Sequence, residues 1–232
     1  MRVNKWGVGV IIAASILLTG CSAPADKPAE DKPAGATEET TAPASDCPEL
    51  AEGATVDGAA LGGCIADATT GTAGYSAKTT VMGMESTSRF SPADDAIESI
   101  SPAGSIIVIG DDIWVKSATS EWQVADPASS DPMIAGLSTG AATVADTDLA
   151  ATAGALSGEF TVTGKGTRLG QEVFLVTGTT TQQGVAVDVV FEVTADYVTL
   201  ASTSSTEASG QQIEITMEVT EWDVPQEIVA PL

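Results

Sequence analysis

The chain contains no histidine. That single absence removes Ser-His-Asp and Cys-His nucleophilic sites, His-ligated zinc and imidazole general bases. Carboxylate, thiol and glycine-loop patterns remain. Two adjacent carboxylate pairs, Asp94-Asp95 and Asp111-Asp112, stand in turn-forming contexts. A glycosidase needs two carboxylates facing one bond, whereas neighbouring acids on a tight turn point apart, and turns favour Asp for backbone reasons alone. Asp146-Thr147-Asp148 is a fragment of a calcium loop without the rest of its ligands and reads as a helix cap. Gly164-Lys165-Gly166-Thr167 has the wrong spacing for a phosphate loop and lies between strand patterns, where it reads as a hairpin turn. These patterns predict a non-enzymatic protein with no catalytic residue, no metal and no cofactor.

The thiols are more informative. Cys21 closes a segment that opens with Arg2 and Lys5 and continues as an apolar run from Trp6 to Leu18. A basic start, a short apolar middle and a small residue before the cut describe a secretory signal, and the run is too short for a spanning helix. Leu18-Thr19-Gly20-Cys21 resembles the lipobox of bacterial lipoproteins at all four of its positions. The resemblance implies that residues 1–20 are removed, that the Cys21 thiol carries a diacylglyceryl group, and that the mature protein is held at the outer face of the cell membrane. Cys47 and Cys64 are left as an even pair in an exported chain, where disulfides form and persist. Closing their loop stabilises the domain by about 3 kcal/mol on the chain-entropy model.

With 9 basic and 32 acidic side chains, the chain has a net charge of −23, and loss of Arg2 and Lys5 with the leader takes it to −25. Such a balance excludes nucleic acid as a partner and opposes adsorption to anionic lipid, since both need surface Lys and Arg. It suits solubility on an anionic envelope. Residues 21–45 are rich in Pro, Ala, Thr and acids and lack large apolar residues, so they read as a disordered linker. Its reach is about 27 Å as a flexible coil and about 75 Å if prolines hold it extended. Residues 46–232 then form one domain, expected to be a monomer.

Within that domain the apolar pattern is mostly of period two. Residues 47–75 are Gly-rich and ambiguous, with room for a short helix before Gly71. Thr79–Phe90 reads as one strand or a bent pair, broken near Gly83, and Ile106–Ile109 with Ile113–Lys116 reads as a hairpin around Gly110-Asp111-Asp112. From Asp131 to about Leu156 the pattern is helical but weakened by glycines, predicting two short helices, the first capped by Asp131 or Ser130 and the second by Asp146. Strands follow at Phe160–Thr163, Glu172–Thr177, Val185–Val193, Tyr197–Leu200 and Ile213–Val219. Their alternation leaves one face polar, as in a sheet packed on one side only. The fold class expected is α+β, a strongly curved antiparallel sheet with two or more short helices on its concave face.

The order of four stretches resembles the LolA-like lipoprotein family of actinobacteria, of the LppX and LprG type. They are Ile113-Trp114-Val115-Lys116 with Ser120-Glu121-Trp122, the helical stretch from Asp131, the long antiparallel strands after it, and the ending Thr220–Pro225 with Ile228-Val229-Ala230-Pro231. Together they span residues 77–231. The resemblance implies a β half-barrel wrapped over helices, with a concave face that carries an acyl lipid or glycolipid. The side chains expected to line that cavity are Met82, Met84, Met133, Leu137, Val187, Val189, Phe191, Ile215 and Met217. Covering an acyl chain is favourable by about 0.8 kcal/mol per methylene, and Met side chains adapt to a flexible guest. The alternative expectation is a surface binding or scaffold module with a filled core, whose acidic face meets a partner.

Overall fold

The computed structural model describes residues 47–145, 155–182, 184–208 and 210–231. In chain order the elements are β1 (Thr55–Asp57), α1 (Gly58–Thr69), β2 (Tyr75–Val81), β3 (Met84–Ser91), a 3-10 turn (Pro92–Asp94), β4 (Ala96–Ser101), β5 (Gly104–Ile109) and β6 (Asp112–Ser117). After these come β7 (Gln123–Val124), α2 (Pro132–Ala145), β8 (Glu159–Arg168), β9 (Gln171–Gln182), β10 (Val185–Val193), β11 (Thr199–Ala208) and β12 (Gln211–Trp222).

All the strands belong to one 12-stranded sheet in the order β1-β8-β9-β10-β11-β12-β2-β3-β4-β5-β6-β7. Every pairing is antiparallel. Most joins are tight hairpins, such as Met82-Gly83 between β2 and β3 and Leu169-Gly170 between β8 and β9, where Met82, Gly83, Leu169 and Gly170 all take positive φ. The one non-local pairing in the middle, β12 with β2, brings the last strand back to the first long one and joins the two halves. The result is an α+β curved half-barrel, open between the short edge strands β1 and β7.

Cross-strand partners share a face, so the registers assign each side chain. Phe160 and Val162 of β8, Phe174 and Val176 of β9 and Val187, Val189 and Phe191 of β10 project to one side. Helix α1 lies on them, burying Leu61, Cys64 and Ile65 in a cluster that also takes Val56, Val193 and Tyr197. Full burial of Leu61 and Ile65 is worth about 1.5–3 kcal/mol each. Asp57 starts this helix by accepting from the backbone N–H of Ala59 and Ala60. Gly178 is needed beneath Phe160, whose ring atoms would lie 2.6 Å from any Cβ placed there.

At the other end of the sheet the register Ile106↔Val115 and Val108↔Ile113 presents a second apolar patch. Helix α2 covers it with Ile134, Leu137 and Ala141. Asp131 caps this helix, accepting from the N–H of Met133 at 2.9 Å. Gly104, at φ +153°, allows β6 and the helix to approach, since a Cβ would clash with the Lys116 carbonyl oxygen and meet the Leu137 Cδ1 at 2.7 Å. Following register from β10 through β11, β12 and β2 to β5 places both helices on the same, concave face of the sheet.

The opposite face is polar. Arg168 pairs with Glu192 at 2.7 Å and with Glu218 at 3.4 Å, Arg89 with Glu98 at 2.5 Å, and Lys78 with Glu85 at 3.2 Å. An apolar patch on it, Ala96, Ile107, Ile109, Trp114 and Trp122, is covered by Ile228 of the C-terminal segment. That segment is held in place by Arg89, whose Nη1 donates to the Glu227 carbonyl at 3.1 Å.

The structure corrects the sequence reading at two points. Gly164-Lys165-Gly166 is not a turn: β8 runs through it to Arg168, with a bulge between Val162 and Gly164, and the chain reverses at Leu169-Gly170. The strand expected to stop at Leu200 continues to Ala208. The second helix expected from Asp146 lies in 146–154, outside the described residues, as does the signal and linker region before Cys47.

Cys47 and Cys64 form a disulfide that ties the segment entering β1 to the middle of α1. Replacing both with serine is expected to cost about 3 kcal/mol, read as a lowered urea midpoint with unchanged secondary structure. An unshifted midpoint would show that the cluster beneath α1 holds this segment without the bond.

Candidate ligand-binding face

The cluster beneath helix α1 takes in β1, β8, β9 and β10, and α2 packs on β5 and β6. Five strands therefore lie between the two helices: β11, β12, β2, β3 and β4. Among the described residues, neither helix caps their concave face. Register again fixes what that face presents. Along β12 it shows Ile213, Ile215 and Met217, which are paired with Thr206, Ser204 and Ser202 of β11. On the other flank Ile215 faces Val81, Met217 faces Thr79 and Val219 faces Ala77 of β2. Beyond them come Met84, Ser86 and Ser88 of β3 and Ser99 of β4.

The floor is thus an apolar stripe along β12 and β2 with hydroxyl groups on both sides. Ala77, Thr79, Ser88, Met217 and Val219 are buried, whereas Val81, Ile213 and Ile215, toward the β2–β3 hairpin end, are only half-buried. A stripe of β-branched and Met side chains left partly exposed inside a concavity is unusual where the rest of the face is closed by helices. The hydroxyls are partly satisfied within the sheet: Ser88 Oγ donates to Ser99 Oγ at 3.2 Å, and Thr206 Oγ1 to the Ala186 carbonyl at 3.0 Å.

One end of this floor is closed by aromatic rings. Tyr75 stacks on its cross-strand neighbour Phe90 with centroids 4.4 Å apart and tilts against Trp222 at 5.5 Å. Ile97 packs on the same group. Burial pushes the Tyr75 hydroxyl well above the ordinary tyrosine range. At the other end the hairpin tip carries Met82 and Met84, each 62% exposed.

The nine side chains expected to line one cavity occupy three separate places. Val187, Val189 and Phe191 are buried in the cluster beneath α1, where Phe191 meets Phe160 with centroids 6.0 Å apart. Leu137 packs within the α2 cluster at the other end of the same face, while Met133 stands exposed at the start of that helix. Ile215 and Met217 lie on the central floor, and Met82 and Met84 at its rim. The sequence reading missed Tyr75, Ser86, Ser88, Ser99, Ser202 and Ser204. Serines spaced two apart in β3 and β11 carry the period of a strand, but hydropathy alternation does not register them.

Asp94-Asp95 lies in the 3-10 turn and Asp111-Asp112 at the β5–β6 hairpin, in keeping with turn roles. Among the described residues there is no group of three His, Cys, Asp or Glu side chains able to hold a metal ion, and no helix is long and apolar enough to cross a membrane.

No family model matches the chain, and no curated protein does. Among solved structures it is similar to LprF from Mycobacterium bovis, at 13% identity and a TM-score of 0.47 over 74% of this chain and 94% of that one. It is also similar to a LolA superfamily protein from Nitrosomonas europaea, at 8% identity and a TM-score of 0.29 over 75% of this chain and 96% of that one. The functional reading rests on the geometry of the face itself.

Proposed function

We propose that the protein is an exported lipoprotein, tethered through an acylated Cys21 to the outer face of the cell membrane, whose domain binds a hydrophobic guest of the acyl-lipid class on the concave face. Residues 1–20 act as the signal, residues 21–45 as the spacer and residues 46–232 as the binding domain. The observation that carries this reading is the half-buried stripe of Val81, Ile213 and Ile215 beside Met217, lying between two helices that cover neighbouring parts of the same face. Each methylene that a guest buries there contributes about 0.8 kcal/mol, so a short stretch of chain suffices for micromolar binding.

The filled cluster beneath α1 confines the guest to the central strands. Val187, Val189 and Phe191 then support the floor rather than touch the guest. The paired charges of the outer face keep the domain soluble. A carrier role needs no catalytic group, and none is proposed.

Ile215 gives the direct test, because a half-buried site can take a charge without unfolding. Ile215→Asp is expected to leave the far-UV circular dichroism unchanged and to lower affinity for parinaric acid, followed by its fluorescence, by at least tenfold. A folded Ile215→Asp that binds the probe as wild type does would place the guest elsewhere.

A further inference from the structure

The aromatic end of the floor contains a polar atom with nothing to bond to. Tyr75 is fully buried, and its hydroxyl has no hydrogen-bond partner among the described residues. Its ring is held on three sides by Phe90, Trp222 and Ile97. A phenylalanine would make the same stack without the expense of a buried, unpaired hydroxyl. A resident water would need two or more polar partners of its own, and the side chains that pack against this ring include Phe90, Trp222 and Ile97. By register Tyr75 shares the helix-bearing face with Ala77 and Thr79 and stands in line with the apolar stripe.

We infer that the Tyr75 hydroxyl is a specificity group for the guest, donating a hydrogen bond to an acceptor oxygen such as an ester or amide carbonyl carried by an otherwise apolar molecule. This rests on the reading of the concave face as a binding site and narrows its ligand class from any hydrophobe to an amphiphile with a buried acceptor. At so buried a site the cost of desolvating a carboxylate outweighs its stronger hydrogen bond, which favours a neutral acceptor or a carboxylic acid. Burial that raises the hydroxyl far above its ordinary range keeps it a donor throughout the physiological range and disfavours any charge beside it. The hydroxyl rows of Ser86, Ser88, Ser202 and Ser204 are consistent with a guest that is not pure hydrocarbon.

Tyr75→Phe deletes one oxygen and keeps the stack. Two fluorescent probes separate the hydrogen bond from the apolar contact: parinaric acid methyl ester, which carries a carbonyl acceptor, and diphenylhexatriene, which carries none. Titrated into the full chain, the ester is expected to bind Tyr75→Phe roughly tenfold more weakly than wild type, with diphenylhexatriene unchanged. Using the same chain in both arms cancels any probe taken up by the N-terminal apolar segment. The guest-free variant is expected to melt at the wild-type temperature or above it, because no bond inside the protein is lost. Ester affinity unchanged by the substitution would overturn the assignment while leaving the binding reading intact. A lowered melting temperature for the guest-free variant would also overturn it, since the hydroxyl would then have a partner within the protein. Failure of wild type to bind either probe would overturn the assignment together with the binding reading beneath it.

Discussion

Phe191→Asp is expected to unfold the domain. Phe191 is buried among Phe160, Val189, Val193 and the underside of α1. Truncating a core Phe costs about 3–5 kcal/mol in lost transfer and cavity energy. Leaving a carboxylate without a partner in the same place adds several more. The sum approaches the whole stability of an ordinary domain, about 5–15 kcal/mol. The near-UV circular dichroism signal should be lost and thermal cooperativity with it. A variant that stays folded and merely loses its guest would mean that Phe191 lines an open cavity, and the division between a filled α1 half and an open centre would be wrong.

Cys21→Ala carries the second large effect. If the thiol takes the lipid, its loss removes both acylation and the cut that depends on it. Two chains on one anchor hold a protein to a bilayer where a single chain is marginal. The variant is expected to leave the membrane pellet or to remain at its full unprocessed mass, with the Cys47–Cys64 bond and the sheet intact. Processing and partitioning like wild type would end the lipobox reading. The acidic chain offers no substitute for the anchor: its net charge of −23 repels anionic lipid.

How much of this was legible in the sequence depended on whether side-chain periodicity and backbone need coincided. The β5–β6 hairpin was plain because two β-branched runs flank Gly110-Asp111-Asp112. The disulfide followed from arithmetic, with Cys21 assigned to lipid and only one pair left. Strand β8 was misread because Gly164 and Gly166 look like a turn, whereas Gly164 follows a bulge and both lie inside the strand. Strand β11 was cut short because Ser and Thr occupy both of its faces and leave no alternation to see. That same blindness hid half of the candidate floor. Helix α1 was faint for a different reason: its Gly and Ala content gives it little amphipathic contrast, and Leu61 and Ile65 do the packing almost alone. The wide separation of the nine expected cavity residues reflects tertiary placement, which period-two patterns cannot convey. Val187 and Ile215 have the same alternation, yet one lies beneath a helix and the other does not.

The central claim is that the concave face between α1 and α2 holds a lipid guest at β12. Its most direct test is mass spectrometry of the organic extract from the full chain purified out of its own membrane, wild type beside Ile215→Asp. A covalent anchor stays with the protein, and bilayer lipid that follows the anchor is common to both chains, so the difference between the two extracts reports the guest. The account predicts acyl lipid in near-stoichiometric amount from wild type and little or none from the folded variant. Equal amounts from both, or a well-folded wild type that yields none and takes up none when offered it, would contradict the claim and leave the domain a scaffold with a filled core.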